Sequence, residues 1–342
     1  MEPAKPWQVL SALPGWQVTQ LPRPDRGDDE RGVGGLPGDG TAQRAAELTS
    51  AWCRSATVAV AWLRERAGGP VRVITAGPGL AAAGGNGQDV LAFPAGARAQ
   101  RLPDGQAVRL LAGLPCWVEL AGVCDALLAH PDAPGLPPGG QGVRPCLEDG
   151  LLSAWLGPFG WLLVAEPADE ATLEDMTSTV ALAQLEAQRN DSPRAKLAER
   201  RAAARHAELR QAASTGLWRV HLLAGGATPQ QAAQVAGLLR ASSDLAGLPY
   251  ALLPARPAAA PPEHTPRRSL LDDPALQWAA TDGRQRTASM SPSQQAPASG
   301  PAAASPDGRW PAPQPAVPFY GSTALVAALA QVPARPGRTA TR

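Results

Sequence analysis

Proline and glycine place the strongest limit on what this chain can fold into. The 342 residues include 35 Gly and 37 Pro, roughly a fifth of the chain and about twice the usual share of these residues. Both residues interrupt helices and strands, and here they are concentrated in residues 1–40, 129–146 and 255–318. We expect a disordered leader, a Pro/Gly loop and a disordered linker in these ranges, which leaves 41–128 and 147–254 to fold.

The leader and the linker differ in composition from the rest of the chain. Residues 1–40 hold a charged stretch, Asp25 to Arg31, and too few apolar residues to offset the entropy lost on ordering. Fourteen of the 37 prolines lie between 254 and 318, with Ser, Ala and Gln in most of the gaps, which is typical of a linker. After the linker we expect a short helix over 319–332 and a tail over 333–342.

Residues 147–254 have the most regular apolar pattern in the chain. Helical spacing predicts a short helix over 147–155, two consecutive helices from 169 to about 213, and a further helix from 228. Strands are predicted over 159–165, 217–224 and 248–253. The order β, αα, β, α, β favours helices packed on a sheet. We therefore predict an α/β (or α+β) fold with a mixed sheet and a long helical hairpin.

Three polar residues mark where the helices of this region begin. Asp169, Ser192 and Thr228 each precede a helical pattern, and the side chains of such residues accept a hydrogen bond from a free backbone N–H of the first turn. Ser192 and Thr228 are each followed by a proline, which loses no hydrogen bond at the first helical position. Gln231 completes a capping box with Thr228.

The region 41–128 is predicted to be a smaller α/β unit. Residues 41–66 lack Pro and are rich in Ala, Leu and paired charges, which indicates one long helix. Strands are expected over 71–74, 89–93 and 116–120, separated by Gly-rich turns.

Charge and cysteine content point to a cytoplasmic protein without a membrane span. The net charge is +1, so there is no overall attraction to nucleic acid or anionic membranes. The four cysteines show no paired zinc-site spacing, and we interpret them as free thiols. Prolines near the amino terminus interrupt the apolar core that a signal peptide requires, so we do not expect secretion. The longest uncharged stretch, 150–165, is short for a membrane helix and is interrupted by Gly157-Pro158.

No complete catalytic, metal or nucleotide motif is present in the sequence. Neither lysine, Lys5 or Lys196, stands in a Gly-rich phosphate loop. Gly77-Pro78-Gly79-Leu80-Ala81-Ala82 after a predicted strand has the GxGxxA spacing of a dinucleotide turn, but Pro78 removes a backbone donor and we favour a plain loop. The four histidines lie in dissimilar contexts, and no G-x-S-x-G or H-E-x-x-H motif occurs. We therefore expect no catalytic, cofactor-binding or metal residues, and no cofactor.

Two groups of residues are candidates for contacts with nucleic acid or a partner. The predicted helix 194–210 carries five arginines and a lysine against Glu199 and Glu208, a pattern that either neutralises phosphates or keeps a solvated helix soluble. In the next strand Trp218, Val220 and Leu222 alternate with polar residues, so Arg219 and His221 are expected on an exposed face. The candidate contact residues are Arg194, Arg200, Arg201, Arg205, Arg219 and His221.

Three segments resemble one protein family. They are PFGWLLVAEP (158–167), RHAELRQAASTGLWRVHLLAGGATPQQAAQVAGLLRASSDLAGLPYALLP (205–254) and PFYGSTALVAALAQVP (318–333). Residues 110–254 and the last segment are similar to the amino-terminal half of actinobacterial-type ATP-binding proteins of the HerA/FtsK superfamily, which are related to conjugative-transfer ATPases. In that family the ATPase core lies downstream of such a region, so no family catalytic residue has a counterpart here.

The resemblance implies a non-catalytic amino-terminal interaction module, truncated before its P-loop domain. Its expected partner is an ATPase subunit or a component of type IV secretion or DNA-translocation machinery. Two alternatives remain open from the residues: a nucleic-acid-binding accessory protein that uses the helix 194–210, and a small-molecule enzyme that uses the Gly77 turn or the face with Arg219 and His221.

Overall fold

The computed structural model describes residues 6–21, 40–84, 87–124, 147–243, 245, 248–258 and 318–333. Its helices are α1 (Pro6–Ala12), α2 (Gly40–Cys53), α3 (Gln106–Leu111), α4 (Glu170–Gln188), α5 (Pro193–Thr215), α6 (Pro229–Ser242) and α7 (Thr323–Leu329), with a π-helical turn at Glu148–Leu152. Its strands are β1 (Gly15–Gln20), β2 (Val58–Arg64), β3 (Arg72–Ala76), β4 (Ala81–Ala83), β5 (Asp89–Ala92), β6 (Ala95–Arg101), β7 (Cys116–Cys124), β8 (Phe159–Pro167), β9 (Leu217–Gly226), β10 (Tyr250–Ala258) and β11 (Phe319–Ser322).

All eleven strands belong to one sheet, so the two predicted folding regions share a single sheet. The strand order is β10-β7-β9-β8-β2-β3-β1-β6-β5-β4, and β11 also pairs with β9. Each pairing between the described strands is antiparallel. The predicted class, helices packed on a sheet, is confirmed, and antiparallel pairing with helices inserted between strands is its α+β form.

The central strands are apolar because helices cover both faces of the sheet. All seven residues of β2 and the first seven of β8 are buried, which explains why Phe159–Ala165 reads as a continuous apolar run. On the first face α2, α6 and α7 cover a core that includes Trp62 and Trp161, whose rings pack edge to face with centroids 5.7 Å apart. On the second face α1 and α3 cover a smaller cluster around Trp117.

Trp117 lies over two glycines on the second face. Gly160 of β8 and Gly225 of β9 are cross-strand partners, and Trp117 of β7 pairs with Gly225. A Cβ added at Gly160 would stand 2.5 Å from the indole, and one added at Gly225 would stand 2.9 Å from it. Only glycine therefore lets the indole lie flat on these strands.

The edge position of β10 follows from its prolines. Pro254 and Pro257 have no backbone N–H, so a strand that holds them is restricted to the edge of a sheet. β10 pairs on one side with β7, and the register shifts between Pro254 and Arg256. The strand extends to Ala258, so the predicted linker begins later than residue 255.

Three predicted elements differ from the structure. The leader prediction was wrong for 6–20, because α1 and β1 fold there and bury Trp7, Leu10, Trp16 and Val18. The single helix over 41–66 was wrong, because α2 ends at Cys53 and the chain turns at Ser55, with φ of 52°, into β2. The helix predicted over 319–332 is shorter, because Phe319–Ser322 pairs with β9 before α7 begins.

Several predictions lie outside the described residues. These are the leader over 22–39, the loop 129–146, the linker over 259–317 and the tail from 334 onward.

The three predicted helix caps are confirmed. The Asp169 carboxylate accepts from the Thr172 N–H at 2.8 Å, and the Ser192 and Thr228 hydroxyls accept from residues three further on, both at 3.2 Å. The reciprocal half of the capping box does not form, because the buried Gln231 Oε1 makes no hydrogen bond within the described residues.

Candidate functional site

A helical hairpin projects from the sheet between two neighbouring strands. The hairpin consists of α4 and α5, which connect β8 to β9. At its base the Ala168 N–H donates to the Leu217 carbonyl at 2.9 Å, and near its tip the Gln188 amide donates to Glu199 at 3.1 Å. These two contacts fix which residues of the helices lie level with each other along the hairpin.

The two helices contact each other along one seam. On α5 the buried residues Ala198, Ala202, Leu209 and Ala212 follow each other at intervals of four, seven and three positions, so they share one face of the helix. On α4, Leu173, Met176 and Val180 pack toward this seam near the base. Ala187 is the one residue of the 19 in α4 that is buried. Nine of the other residues are exposed, so one side of α4 faces away from the protein.

Leucines are exposed on the hairpin. Among the described residues five large apolar side chains are exposed, and three of them are Leu182, Leu185 and Leu197, at 63%, 54% and 39%. Leu182 and Leu185 lie two and five residues beyond Val180. Because each helical residue turns by about 100°, they point away from the seam. Leu182 and Leu185 are three residues apart and so adjoin on the helix surface, and an exposed patch of adjoining apolar side chains is typical of a protein-binding surface.

The hairpin also separates charge between its two helices. Exposed acidic residues occupy α4, and that helix has no basic residue: Glu170, Glu174, Asp175 and Glu186. Exposed basic residues occupy α5: Arg194, Lys196, Arg200 and Arg210. The predicted basic helix is thus present, but it lies beside an acidic helix of similar length.

Arg205 is not part of the exposed basic surface, contrary to our prediction. Its guanidinium forms an ion pair with Glu208 and donates to the Tyr250 hydroxyl at 3.1 Å. The Tyr250 hydroxyl donates to Glu208 and accepts from the Ser322 N–H at 3.0 Å. These contacts join the middle of α5 to β10 and β11.

The chemistry of this cluster follows from its burial. Burial raises the pKa of Tyr250 far above its ordinary value of 10.0, the charge of Arg205 opposes this shift, and the Glu208 carboxylate adds to it. Burial lowers the pKa of Arg205, but its interactions with Tyr250, Cys124 and Glu208 outweigh that effect and raise it. Arg205 therefore stays charged and Tyr250 stays neutral, and both can keep the contacts that join α5 to β10 and β11.

The remaining basic candidates on α5 differ in exposure. Arg194 and Arg200 are exposed, as predicted, whereas Arg201 is half-buried. Arg194 and Arg200 are thus exposed on α5, Arg205 is held against Tyr250 of β10, and Arg219 and His221 lie on the sheet.

Arg219 and His221 form a second candidate site with two glutamates. His221 Nδ1 lies 3.0 Å from Glu119 Oε1, and His221 Nε2 lies 3.9 Å from Glu166 Oε1. Arg219 Nη1 lies 3.7 Å from the same Glu166 oxygen. His221 is 4% exposed, so the prediction of an exposed face was wrong. The alternation in β9 was read correctly, but both faces of this strand are buried around His221.

This charged cluster, Glu119, Glu166, Arg219 and His221, lies on the second face between two apolar clusters. Glu166 Oε1, Arg219 Nη2 and His221 Nε2 are buried and make no hydrogen bond within the described residues. The contacts of these four side chains join β7, β9 and β8. Nowhere in the described ranges do three or more His, Cys, Asp or Glu side chains gather to hold a metal ion.

The dinucleotide-type turn does not exist in the structure. Gly77 and Gly79 have positive φ, of 155° and 67°, and the chain continues into β4 instead of a helix. Leu80 is 1% exposed and packs in the core. Without a helix amino terminus this turn has no backbone site for a pyrophosphate.

The sequence reasoning missed the acidic partners. Glu119 stands in the apolar strand β7 and Glu166 ends the apolar run of β8. A charged residue inside an otherwise buried strand is the signal that could have identified them, because a buried charge requires a partner.

No family model, curated protein or solved structure matches the chain. Among the described helices, none combines the length and apolar character needed to cross a membrane.

Proposed function

We propose that this protein is a non-catalytic interaction module that binds a protein partner through the α4–α5 hairpin. The observation that carries the proposal is the projecting hairpin with its exposed Leu182 and Leu185 beside separated acidic and basic surfaces. Interfaces combine an apolar centre with charged groups that select the partner and its orientation. The hairpin offers both on one rigid element.

Nucleic-acid binding is a weaker alternative for this hairpin. A phosphate backbone is bound by several arginines and lysines that face it together. Arg205 is engaged with Glu208 and Tyr250, and the acidic residues of α4 would repel phosphates next to α5. The separated charges fit a protein surface that carries both signs.

An enzymatic function also has less support than docking. The charged cluster contains a histidine beside carboxylates, but its charges are paired across three adjacent strands. A catalytic site requires in addition a group that reacts with a substrate and room for that substrate. Non-covalent contacts that hold strands β7, β9 and β8 together account for the positions of these four side chains.

The resemblance to HerA/FtsK-type proteins indicates the class of partner. We propose a P-loop ATPase subunit, or a component of secretion or DNA-translocation machinery, as the protein that the module docks onto. A cytoplasmic location fits this partner, and Cys53, Cys116 and Cys124, which form no disulfide within the described residues, are compatible with it.

Affinity isolation with three forms of the full chain tests the proposal. The forms are the wild type, Leu182→Arg/Leu185→Arg on the hairpin, and Leu156→Arg, an exposed leucine outside the hairpin that serves as the matched control. Wild type and control should recover a P-loop ATPase or a secretion component, identified by mass spectrometry, and the hairpin variant should lose it. Recovery of no such protein, or equal recovery by all three forms, would contradict the proposal.

A further inference from the structure

We infer that the hairpin docks side by side onto the hairpin of a second copy of this chain. In this contact the outer face of α4 of one copy packs on the outer face of α5 of the other. This inference rests on the proposed function, because it names an occupant of the same docking surface. The outer faces are the sides of the two helices that point away from their common seam.

The outer face of α4 combines leucines with acids. Asp175, Ser178, Leu182 and Leu185 are exposed and recur at intervals of three or four residues. They therefore form one stripe along the helix, on the side opposite Val180. The stripe offers two large apolar side chains with negative charge below them.

The outer face of α5 combines small residues with basic ones. Arg200, Ala204, Ala207 and Arg210 are exposed and recur at the same intervals, on the side opposite Ala202 and Leu209. Alanine lets a second helix approach closely, so large side chains of that helix fit between the alanines. The stripe thus complements the α4 stripe in shape as well as in charge.

The two stripes also match in height. Because Ala168 is level with Leu217 and Gln188 with Glu199, Leu182 lies at the level of Ala204 and Asp175 at the level of Arg210. A second hairpin placed side by side at the same height would set Leu182 against Ala204 and Asp175 against Arg210. This antiparallel contact of helices is the ordinary one in helical bundles.

The charge pattern favours a second copy over another occupant. A partner for α4 must present a basic helix of about 28 Å with small side chains, the length that follows from a rise of about 1.5 Å per residue. The α5 helix of this chain has these properties, and α4 in turn supplies the acidic helix that α5 requires. Since the two faces differ, the contact is heterologous and each copy has one face of each kind.

Two variants of the full chain separate the two faces. Leu182→Arg/Leu185→Arg removes the α4 face and keeps the α5 face, whereas Arg200→Glu/Arg210→Glu removes the α5 face and keeps the α4 face. All four residues are exposed, so both variants should keep the far-ultraviolet circular dichroism of the wild type. Leu156→Arg is again the control.

Sedimentation velocity over a wide range of concentration measures the outcome. The wild type and the control should form assemblies that grow with concentration, and each variant alone should sediment as a 35.3 kDa monomer. An equimolar mixture of the two variants should give a discrete one-to-one complex, because it contains one intact face of each kind. High salt should weaken this complex, since ion pairs contribute to it.

Three results would overturn the inference: a wild type that stays monomeric, assemblies that survive in either variant, or a mixture that stays monomeric. A monomeric wild type whose hairpin variant still loses the ATPase or secretion partner would remove only this inference. Self-association through the hairpin with no such partner recovered would instead remove the proposed partner.

Discussion

Tyr250 is the residue through which the hairpin, β10 and the last strand are joined. Its hydroxyl donates to Glu208 on α5 and accepts from the backbone of Ser322 in β11, while the guanidinium of Arg205 lies 5.9 Å from the centre of its ring. Three elements that are distant in sequence thus share one buried phenol. Removal of the hydroxyl leaves a buried carboxylate and a buried N–H each without that partner.

We expect Tyr250→Phe to lower the free energy of unfolding by about 1–3 kcal/mol, the range for buried polar groups that lose a partner. Tyr320→Phe is the matched control, because it removes the other tyrosine hydroxyl, which makes no hydrogen bond to the described residues. Urea denaturation followed by circular dichroism measures both. Equal stability of the two variants would show that the hydrogen bonds of the Tyr250 hydroxyl do not stabilise the fold.

The effect of Tyr250→Phe should depend on alkaline pH. The folded pKa of Tyr250 is raised above its ordinary value of 10.0, so in the folded protein the phenol stays neutral at a pH where the unfolded chain ionises. The advantage of the wild type over Tyr250→Phe is therefore fully present below about pH 10 and is lost as the pH rises above it. Unfolding at a series of pH values measures this loss, and a constant difference up to pH 11 or so would contradict it.

The burial of a side chain was harder to predict from the sequence than the face of the strand or helix on which it lies. The alternation in β9 correctly placed Arg219 and His221 on the face opposite Trp218. It could not reveal that Glu119 lies beside His221, because that contact joins residues 102 positions apart. Arg205 likewise looked like its exposed neighbours, and its burial depends on Tyr250 from another strand. Local patterns assign a face, and only the packed neighbours decide its exposure.

The amino-terminal boundaries of α4, α5 and α6 were predicted well from the sequence, because a cap is a local interaction. Asp169, Ser192 and Thr228 each accept from the backbone N–H three residues on. α6 illustrates the consequence for packing, since Val235, Ala236 and Leu239 are buried against the sheet. The Thr228 cap holds the first turn of a helix on which the first-face core depends.

Thr228→Ala should therefore lower the free energy of unfolding by about 1 kcal/mol, the usual effect of removing a cap hydroxyl. Thr228→Ser keeps an oxygen that accepts from the Gln231 N–H and should lie close to the wild type. Thermal and urea unfolding of the three proteins measure the difference. Loss of the same stability in both variants would indicate that the methyl group, and not the hydrogen bond, supports the helix.

The prediction of one helix over residues 41–66 was wrong because the structure there depends on distant contacts and not on local ones. Ala and Leu occur on both sides of Ser55, so composition alone favours one helix. Val58, Val60 and Trp62 are residues that favour strands, and they pair with β8 from Ala165 to Trp161. That pairing crosses about a hundred residues of sequence, and no local propensity contains it. Tertiary contacts turned an ambiguous segment into the centre of the sheet.

At the scale of the whole molecule, the carboxy-terminal segment 318–333 completes the core. Its α7 residues Leu325, Val326 and Leu329 are at most 2% exposed. Thr323 accepts from the Trp218 indole at 2.8 Å, and the Gln331 carbonyl accepts from the Trp62 indole at 3.0 Å. A segment that the sequence placed after a linker as an isolated helix is therefore built into the same fold as β2 and β9.

The free energy gained by burying the side chains of this segment indicates that the fold depends on it. Full burial of one Leu or Val side chain stabilises by about 1.5–3 kcal/mol, and a whole domain is stable by only about 5–15 kcal/mol. Three such side chains therefore supply a large part of the total. Their removal would also leave the indole N–H groups of Trp62 and Trp218 without the acceptors that they have now.

A chain of residues 1–258 should consequently be much less stable than the full chain, and a synthetic peptide of residues 318–333 should restore it. Binding of the peptide to the folded state alone stabilises by about 2.7 kcal/mol when its concentration is 100 times the dissociation constant. The matched control is the same peptide with Val326→Asp, which would bury a carboxylate without a partner. Thermal unfolding with increasing peptide should show a saturating rise for the native peptide and none for the control. If residues 1–258 unfold with the stability of the full chain, the carboxy-terminal segment covers a core that is complete without it; if both peptides act alike, its buried side chains are not the source of the stabilisation.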